Sequence, residues 1–155
     1  MKHPLYLTTL HTLTISFAEH ISSFDIIFSP IFDLSTFKYC KSEYQPFFDY
    51  FTNYASSPIE YLIINGRFQF SSFHNLLSCL PKLQHLSINS LVDDYYYQKN
   101  KKLSPIQLKY LKYVSLKLDC VYFDEFEKII KEFFHHIQIL HLTTVRGETY
   151  LDAKR

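Results

Sequence analysis

Two glycines in 155 residues, Gly66 and Gly147, are too few for glycine-rich chemistry. The chain has no phosphate-cradling loop and no nucleophile elbow, and no His-Glu-x-x-His pair marks a zinc helix. Glycine turns do not organise it either. Proline does more of that work: Pro4, Pro30, Pro58, Pro81 and Pro105 each stand 4 to 10 residues ahead of a recurring apolar position. The three cysteines, Cys40, Cys79 and Cys120, lack zinc spacing and cannot all pair, so they read as small buried side chains in a reducing compartment. An excess of either charge is also missing. Sixteen basic against 15 acidic residues leave a formal net charge of +1, which argues against a nucleic acid or a membrane held mainly by charge. No signal-type apolar stretch follows Met1-Lys2-His3-Pro4, and no run approaches membrane-spanning length. Cytoplasm or nucleus is the expected location.

Apolar material is abundant, at 47% hydrophobic and 18% aromatic, and suffices for the core of one domain. Its arrangement is periodic. In Leu80-Pro-Lys-Leu83-Gln-His-Leu86-Ser-Ile88, apolar residues stand at minus six, minus three, zero and plus two relative to Leu86. The same grid fits Leu7/Leu10/Leu13/Ile15, Leu34/Phe37/Cys40/Ser42, Ser56/Ile59/Leu62/Ile64, Leu108/Leu111/Val114/Leu116 and Phe134/Ile137/Leu140/Leu142, with Ser42 and Ser56 its only polar members. Successive anchors, residues 13, 40, 62, 86, 114 and 140, lie 27, 22, 24, 28 and 26 residues apart. Such intervals fit the roughly 20 to 29 residues of leucine-rich repeats.

Alternation at zero and plus two puts two side chains on one face of a short strand and the residues between them on the other. Parallel strands need crossovers of about a dozen residues or more, and every interval supplies one. The expected fold is therefore α/β: a leucine-rich-repeat solenoid with about six short parallel strands and convex helices or loops. It forms one repeat domain over residues 1–155, uncapped at both ends, as in a fragment of a longer array. Leu13, Leu62, Leu86, Val114 and Leu140 should be among the least exposed residues.

The intervals carry their own signals. Phe17, Ile21, Phe24 and Phe28 predict a helix near residues 18 to 28, ended by Pro30. Phe47, Tyr50, Phe51 and Tyr54 predict a second after Pro46. In a third, capped by Ser71 or Ser72 and stopped by Pro81, the inward face is Phe73, Leu76, Leu77 and Leu80. Residues 92 to 102 lack either periodicity and read as a surface loop whose tyrosines and lysines would rim a binding face. The last interval predicts a helix with Asp124 and Glu127 as a capping box and Phe126, Ile129, Ile130 and Phe133 as its buried stripe.

No reactive cluster accompanies this pattern, so neither an enzyme nor a cofactor is expected. Glu132, His135, His136 and His141 are close in sequence, but adjacent histidines point apart, and ordinary surface histidines are the simpler reading. A repeat array offers a surface instead. The residues flanking each anchor form its concave face, and the partner-binding candidates there are Tyr39, Tyr61, Asn65, His85, Asn89, Tyr113, Lys117 and His141. Tyrosines on rigid strands give large contact area at little entropic cost.

The rungs Leu80 to Leu91, Leu108 to Leu118 and Phe134 to Leu142, with the closing Glu148-Thr-Tyr-Leu151-Asp-Ala-Lys-Arg155, resemble the degenerate leucine-rich repeats of F-box domain-containing proteins. In that family an F-box module docks on a Skp-type adaptor of a cullin ubiquitin ligase, and the repeats receive the substrate. The resemblance implies a protein-interaction module of the ubiquitin ligase substrate receptor kind, with a protein substrate or partner on the concave face. Leu7 already belongs to the first rung, so no F-box is present, and a Skp-type adaptor is expected only for a longer product carrying one. The alternative is a structural or decayed repeat fragment. The sequence also departs from typical repeats at the position of their turn-bonding asparagine, which reads Ala18, Gln45, Arg67, Leu91, Asp119 and Val145.

Overall fold

A computed structural model describes residues 11–15, 36–43, 57–93 and 108–145. The described elements run β1 (Thr12–Ile15), β2 (Tyr39–Ser42), β3 (Tyr61–Gln69), α1 (Phe70–Cys79), β4 (His85–Val92), β5 (Tyr113–Asp119), α2 (Phe123–Phe133) and β6 (Ile139–Thr144). The six strands form one open sheet in sequence order, every neighbouring pair parallel. All six anchors lie in strands and align across the sheet, Leu13 with Cys40, Leu62, Leu86, Val114 and Leu140 in turn. The chain is thus α/β.

Backbone bonding at the start of the strands repeats at five joints. The carbonyls of His11, Lys38, Glu60, Gln84 and Lys112 each accept two successive amide hydrogens, from the following strand's first residue and the residue before it, at 2.8 to 3.2 Å. Side chains then follow the pleat. Cys40, Leu62, Leu86 and Val114 are buried with Ser42, Ile64, Ile88 and Leu116, and Phe37, Ile59, Leu83 and Leu111 lie fully inside beneath them. Leu80, Leu108 and Phe134 close the same core. Removing a leucine-sized side chain from water in this way contributes roughly 1.5 to 3 kcal/mol.

The third interval behaves as its periodicity predicts, except at its cap. Phe73, Leu76 and Leu77 of α1 are buried, and Leu80 ends the helix just before Pro81. The N-cap is Gln69, not Ser71 or Ser72, because β3 runs into the helix without an intervening loop. Phe73 packs edge-on against Phe68 at 6.4 Å, which fixes α1 over the end of β3. Ser57 ties the start of this rung to its end: its amide donates to the Cys79 carbonyl at 3.0 Å, and its Oγ accepts the Ile59 amide hydrogen at 3.4 Å.

In α2, Phe126, Ile129 and Phe133 are buried and Ile130 is partly so. The expected capping box is not formed. Tyr122 occupies the N-cap, which leaves Asp124 inside the first turn, and Glu127 pairs instead with Lys131 at 2.8 Å. The cause lies upstream, where Cys120 takes the left-handed conformation at φ 60° and buried Val121 directs the chain back under the sheet. Cys120 is therefore exposed, unlike Cys40 and Cys79, which corrects the expectation of three buried thiols.

Two further expectations are corrected. Leu140 is 39% exposed and Leu142 is 42% exposed, although both stand on the core-facing positions of β6. A rung is buried by neighbours on both sides, and among the described residues no strand pairs with the outer edge of β6. Val92 ends β4 instead of opening a loop. Residues 94–102 of the predicted loop, the helix near 18 to 28 and the helix after Pro46 lie outside the described residues.

The strands are not uniformly short, since β3 has nine residues and β4 has eight. Each carries a register shift after its plus-two residue, between Ile64 and Arg67 and between Ile88 and Leu91. Beyond the shifts Phe68, Leu91 and Leu118 align and point into the core. Leu91 thus fills with a buried leucine the position where a typical repeat has its asparagine.

Two measurements test this packing. Leu86→Ala should lower the free energy of unfolding in denaturant titration by roughly 2 to 5 kcal/mol, and Leu140→Ala by less than half as much; equal losses would place β6 in the core. In thiol labelling of the native protein Cys120 should react fast, while burial pushes the Cys40 thiol up to about 12 and keeps it inert until unfolding.

Candidate functional site

The sheet face away from the core is built from the residues between the inward ones. In its first row Tyr39, Tyr61, His85 and Tyr113 stand directly opposite one another on β2 to β5. Their rings stack in succession. Centroids are 6.4 Å apart at 30° for Tyr39 and Tyr61, 5.9 Å at 29° for Tyr61 and His85, and 4.1 Å at 9° for His85 and Tyr113. His141, two positions further along β6, extends the run by a ring contact of 5.6 Å to Tyr113. Ile139 completes the register row and is itself exposed.

Stacking determines what this row presents outward. The ring faces are turned toward one another along the row, in close cover only between His85 and Tyr113, so ring edges and polar tips point outward and Tyr61 is 41% exposed. A ring edge carries the positive part of the aromatic quadrupole, which suits acceptor groups better than cations. Burial between Tyr61 and Tyr113 lowers the pKa of His85 below the ordinary 6.5 by desolvating its charged form.

Polar groups flank the rings on both sides. At the start of the strands, Lys38 Nζ meets Glu60 Oε1 at 2.8 Å and Gln84 Nε2 donates to Glu60 Oε2 at 3.1 Å. The hydrogen bond to Glu60, reinforced by its charge, holds the Lys38 ammonium above its usual pKa. Glu60 and Gln84 also line a shallow open depression with Lys82 and Tyr110. On the other side, Lys41 pairs with Glu43 at 3.1 Å. The Asn89 amide donates to the Asn65 carbonyl at 3.3 Å, joining two exposed candidates across β3 and β4.

Five of the eight candidates, Tyr39, Tyr61, His85, Tyr113 and His141, thus form one continuous row. Asn65 and Asn89 form a separate pair, and Lys117 lies four residues beyond Tyr113 on the same face of β5. Arg67 belongs with Lys117: it is exposed, it pairs with Ser90 in register, and Lys117 falls opposite Asn89 and Ser90 on the other side of β4. Strict alternation already turns Arg67 outward with Tyr61, Ile63 and Asn65, but the candidates stop three residues past each anchor; the shift after Ile64 alters its partner on β4, not its face. Glu132, His135, His136 and His141 are not brought together. Glu132 accepts from His74 at 3.2 Å, His135 and His136 are exposed after α2, and His141 is on the open face. Among the described residues no group of three metal-ligating side chains occurs, and no helix is long and apolar enough to cross a membrane.

Compared with protein-family models, with curated proteins and with solved structures, the chain matches none.

The lowered His85 pKa carries a sign. The unfolded state binds this proton first as pH falls, so stability should drop from about pH 6.5 down to the folded pKa and then level off, with no penalty above that window. His85→Gln should flatten that part of the stability profile. An NMR titration placing the His85 midpoint at or above 6.5 would contradict the desolvated setting.

Proposed function

We propose that this chain is a protein-interaction module: a leucine-rich-repeat solenoid whose open sheet face is the concave side and receives a protein partner. The observation that carries this reading is the ring row Tyr39, Tyr61, His85, Tyr113 and His141, held on rigid strands and directed away from the core. Rings with two side-chain torsions lose little entropy on binding, and aromatic residues dominate the energetics of protein interfaces. Asn65, Asn89 and Lys117 extend the contact. Repeat intervals of 22 to 28 residues and the same carbonyl bonding at successive strands support the solenoid part of the reading.

By its resemblance, the module corresponds to the substrate-binding repeats of an F-box ubiquitin-ligase receptor acting in the cytoplasm or nucleus. A Skp-type adaptor would then be met only by a longer product that includes an F-box. We propose no catalytic role, cofactor, nucleic acid or membrane partner. The uncovered Leu140 and Leu142 favour a second reading, a structural repeat unit completed by a further rung.

Binders selected from a protein library separate the two. Alanine at Tyr61, His85 and Tyr113 together should weaken a selected binder by about 100-fold or more, as expected for interface hot spots, with the far-ultraviolet circular dichroism unchanged. Near-normal affinity would move the site elsewhere. A folded, monomeric chain from which selection yields no binder would favour the structural unit.

A further inference from the structure

The open face holds more than the ring row. In the next row Ser87 and Ser115 come directly opposite each other and make a low floor at β4 and β5, flanked in the same row by Ile63 and Lys41 on one side and His141 on the other. Beyond that floor stand Arg67 and Lys117, both exposed and neither in an ion pair among the described residues. Of the carboxylates on this side Glu43 is paired with Lys41, and Asp119, two residues past Lys117 at the end of β5, accepts the Cys120 thiol hydrogen at 3.5 Å and keeps its charge beyond the two cations. The face therefore has a row of rings, a floor that is low at its centre over β4 and β5, and two exposed cations on the far side.

Its dimensions discriminate among occupants. Four residues of strand from Tyr113 to Lys117 span about 13 Å, and four inter-strand steps from β2 to β6 span about 19 Å. An α-helix with its side chains is about 10 to 12 Å across, and about 13 residues of it cover the longer dimension. A single extended strand finds no open edge on this face and would lie about 10 Å above it, without the main-chain bonds that strand addition supplies. Bases of a single-stranded nucleic acid need free ring faces on which to stack, whereas here the faces are turned toward one another.

We infer that the partner presents an acidic amphipathic helix, lying across β2 to β6 with its apolar flank on the ring row and its carboxylates toward Arg67 and Lys117. This inference rests on the interaction reading above and adds the chemical class of the partner. The ring edges and the two cations attract the same sign of charge, so the face selects against basic segments on both sides. Helix binding in a groove needs apolar side chains at i, i+3, i+4 and i+7 on one flank, and the ring row is long enough to meet two turns of them.

The test is selection of random displayed peptides of about 16 residues, enough for the roughly 13 in contact, against the full chain. The expected winners are net acidic with helical apolar spacing, become helical on binding, and bind more tightly as salt is lowered. Arg67→Glu with Lys117→Glu should weaken them by about 100-fold, roughly tenfold for each reversed charge. Both positions are exposed, and a thermal melt checks that the double variant folds. Ser115→Tyr, which raises the floor without altering charge, should abolish binding. Winners that are basic or proline-rich, or acidic winners indifferent to the charge reversal, would overturn the helix class. If such winners still required Tyr61, His85 and Tyr113, the interaction reading would survive; no winner at all would overturn both.

Discussion

One carbonyl oxygen at the foot of each strand accepts two amide hydrogens from the next, and this repeated bond fixes the register of the whole sheet. Register matters because side chains alternate with a period of two: a slip of one residue would exchange the inner and outer faces of a strand. With the bonds in place, Cys40, Leu62, Leu86 and Val114 enter the core as one column. The residues just before them, Tyr39, Tyr61, His85 and Tyr113, are forced into a column of their own on the far side. The ring row is thus a geometric consequence of how the core is aligned. A change that displaced one foot would disturb both faces together.

The inward half of this arrangement was legible in the sequence because burial imposes a strong and periodic demand. Every described grid position from Phe37 to Phe134 is buried, including polar Ser42. Helix caps were much less legible. Ser71, Ser72 and Asp124 look like caps by residue type, yet the strand-to-helix junction and the turn at Cys120 decide where each helix begins. Propensity is a local signal, and here the junction geometry overrides it.

The outer face was legible in part, for a related reason. Alternation places Tyr39, Tyr61, His85 and Tyr113 correctly as far as the plus-two residues. Past Ile64 and Ile88 an extra residue enters β3 and then β4; β3 keeps its alternation, with Arg67 outward, but in β4 counting by twos does not show Leu91 entering the core. Burial at the margin of the sheet was not legible at all. Leu140 has the same sequence context as Leu86, but the assembled sheet shows that, among the described residues, Leu86 has strands on both sides and Leu140 on one.

The contact between α1 and α2 reaches past the strand-to-strand neighbourhood. His74 of α1 donates through Nε2 to Glu132 of α2, since a carboxylate can only accept, and its ring lies edge-on to Phe133 at 4.7 Å. Its buried Nδ1 has no hydrogen-bond partner among the described residues. These helices follow β3 and β5, which do not pair with each other. A clasp between the two helices couples strands that do not pair, so opening at β5 is felt directly at β3. The segment from β3 to α2 consequently gains cooperativity that pairwise stacking alone would not give it.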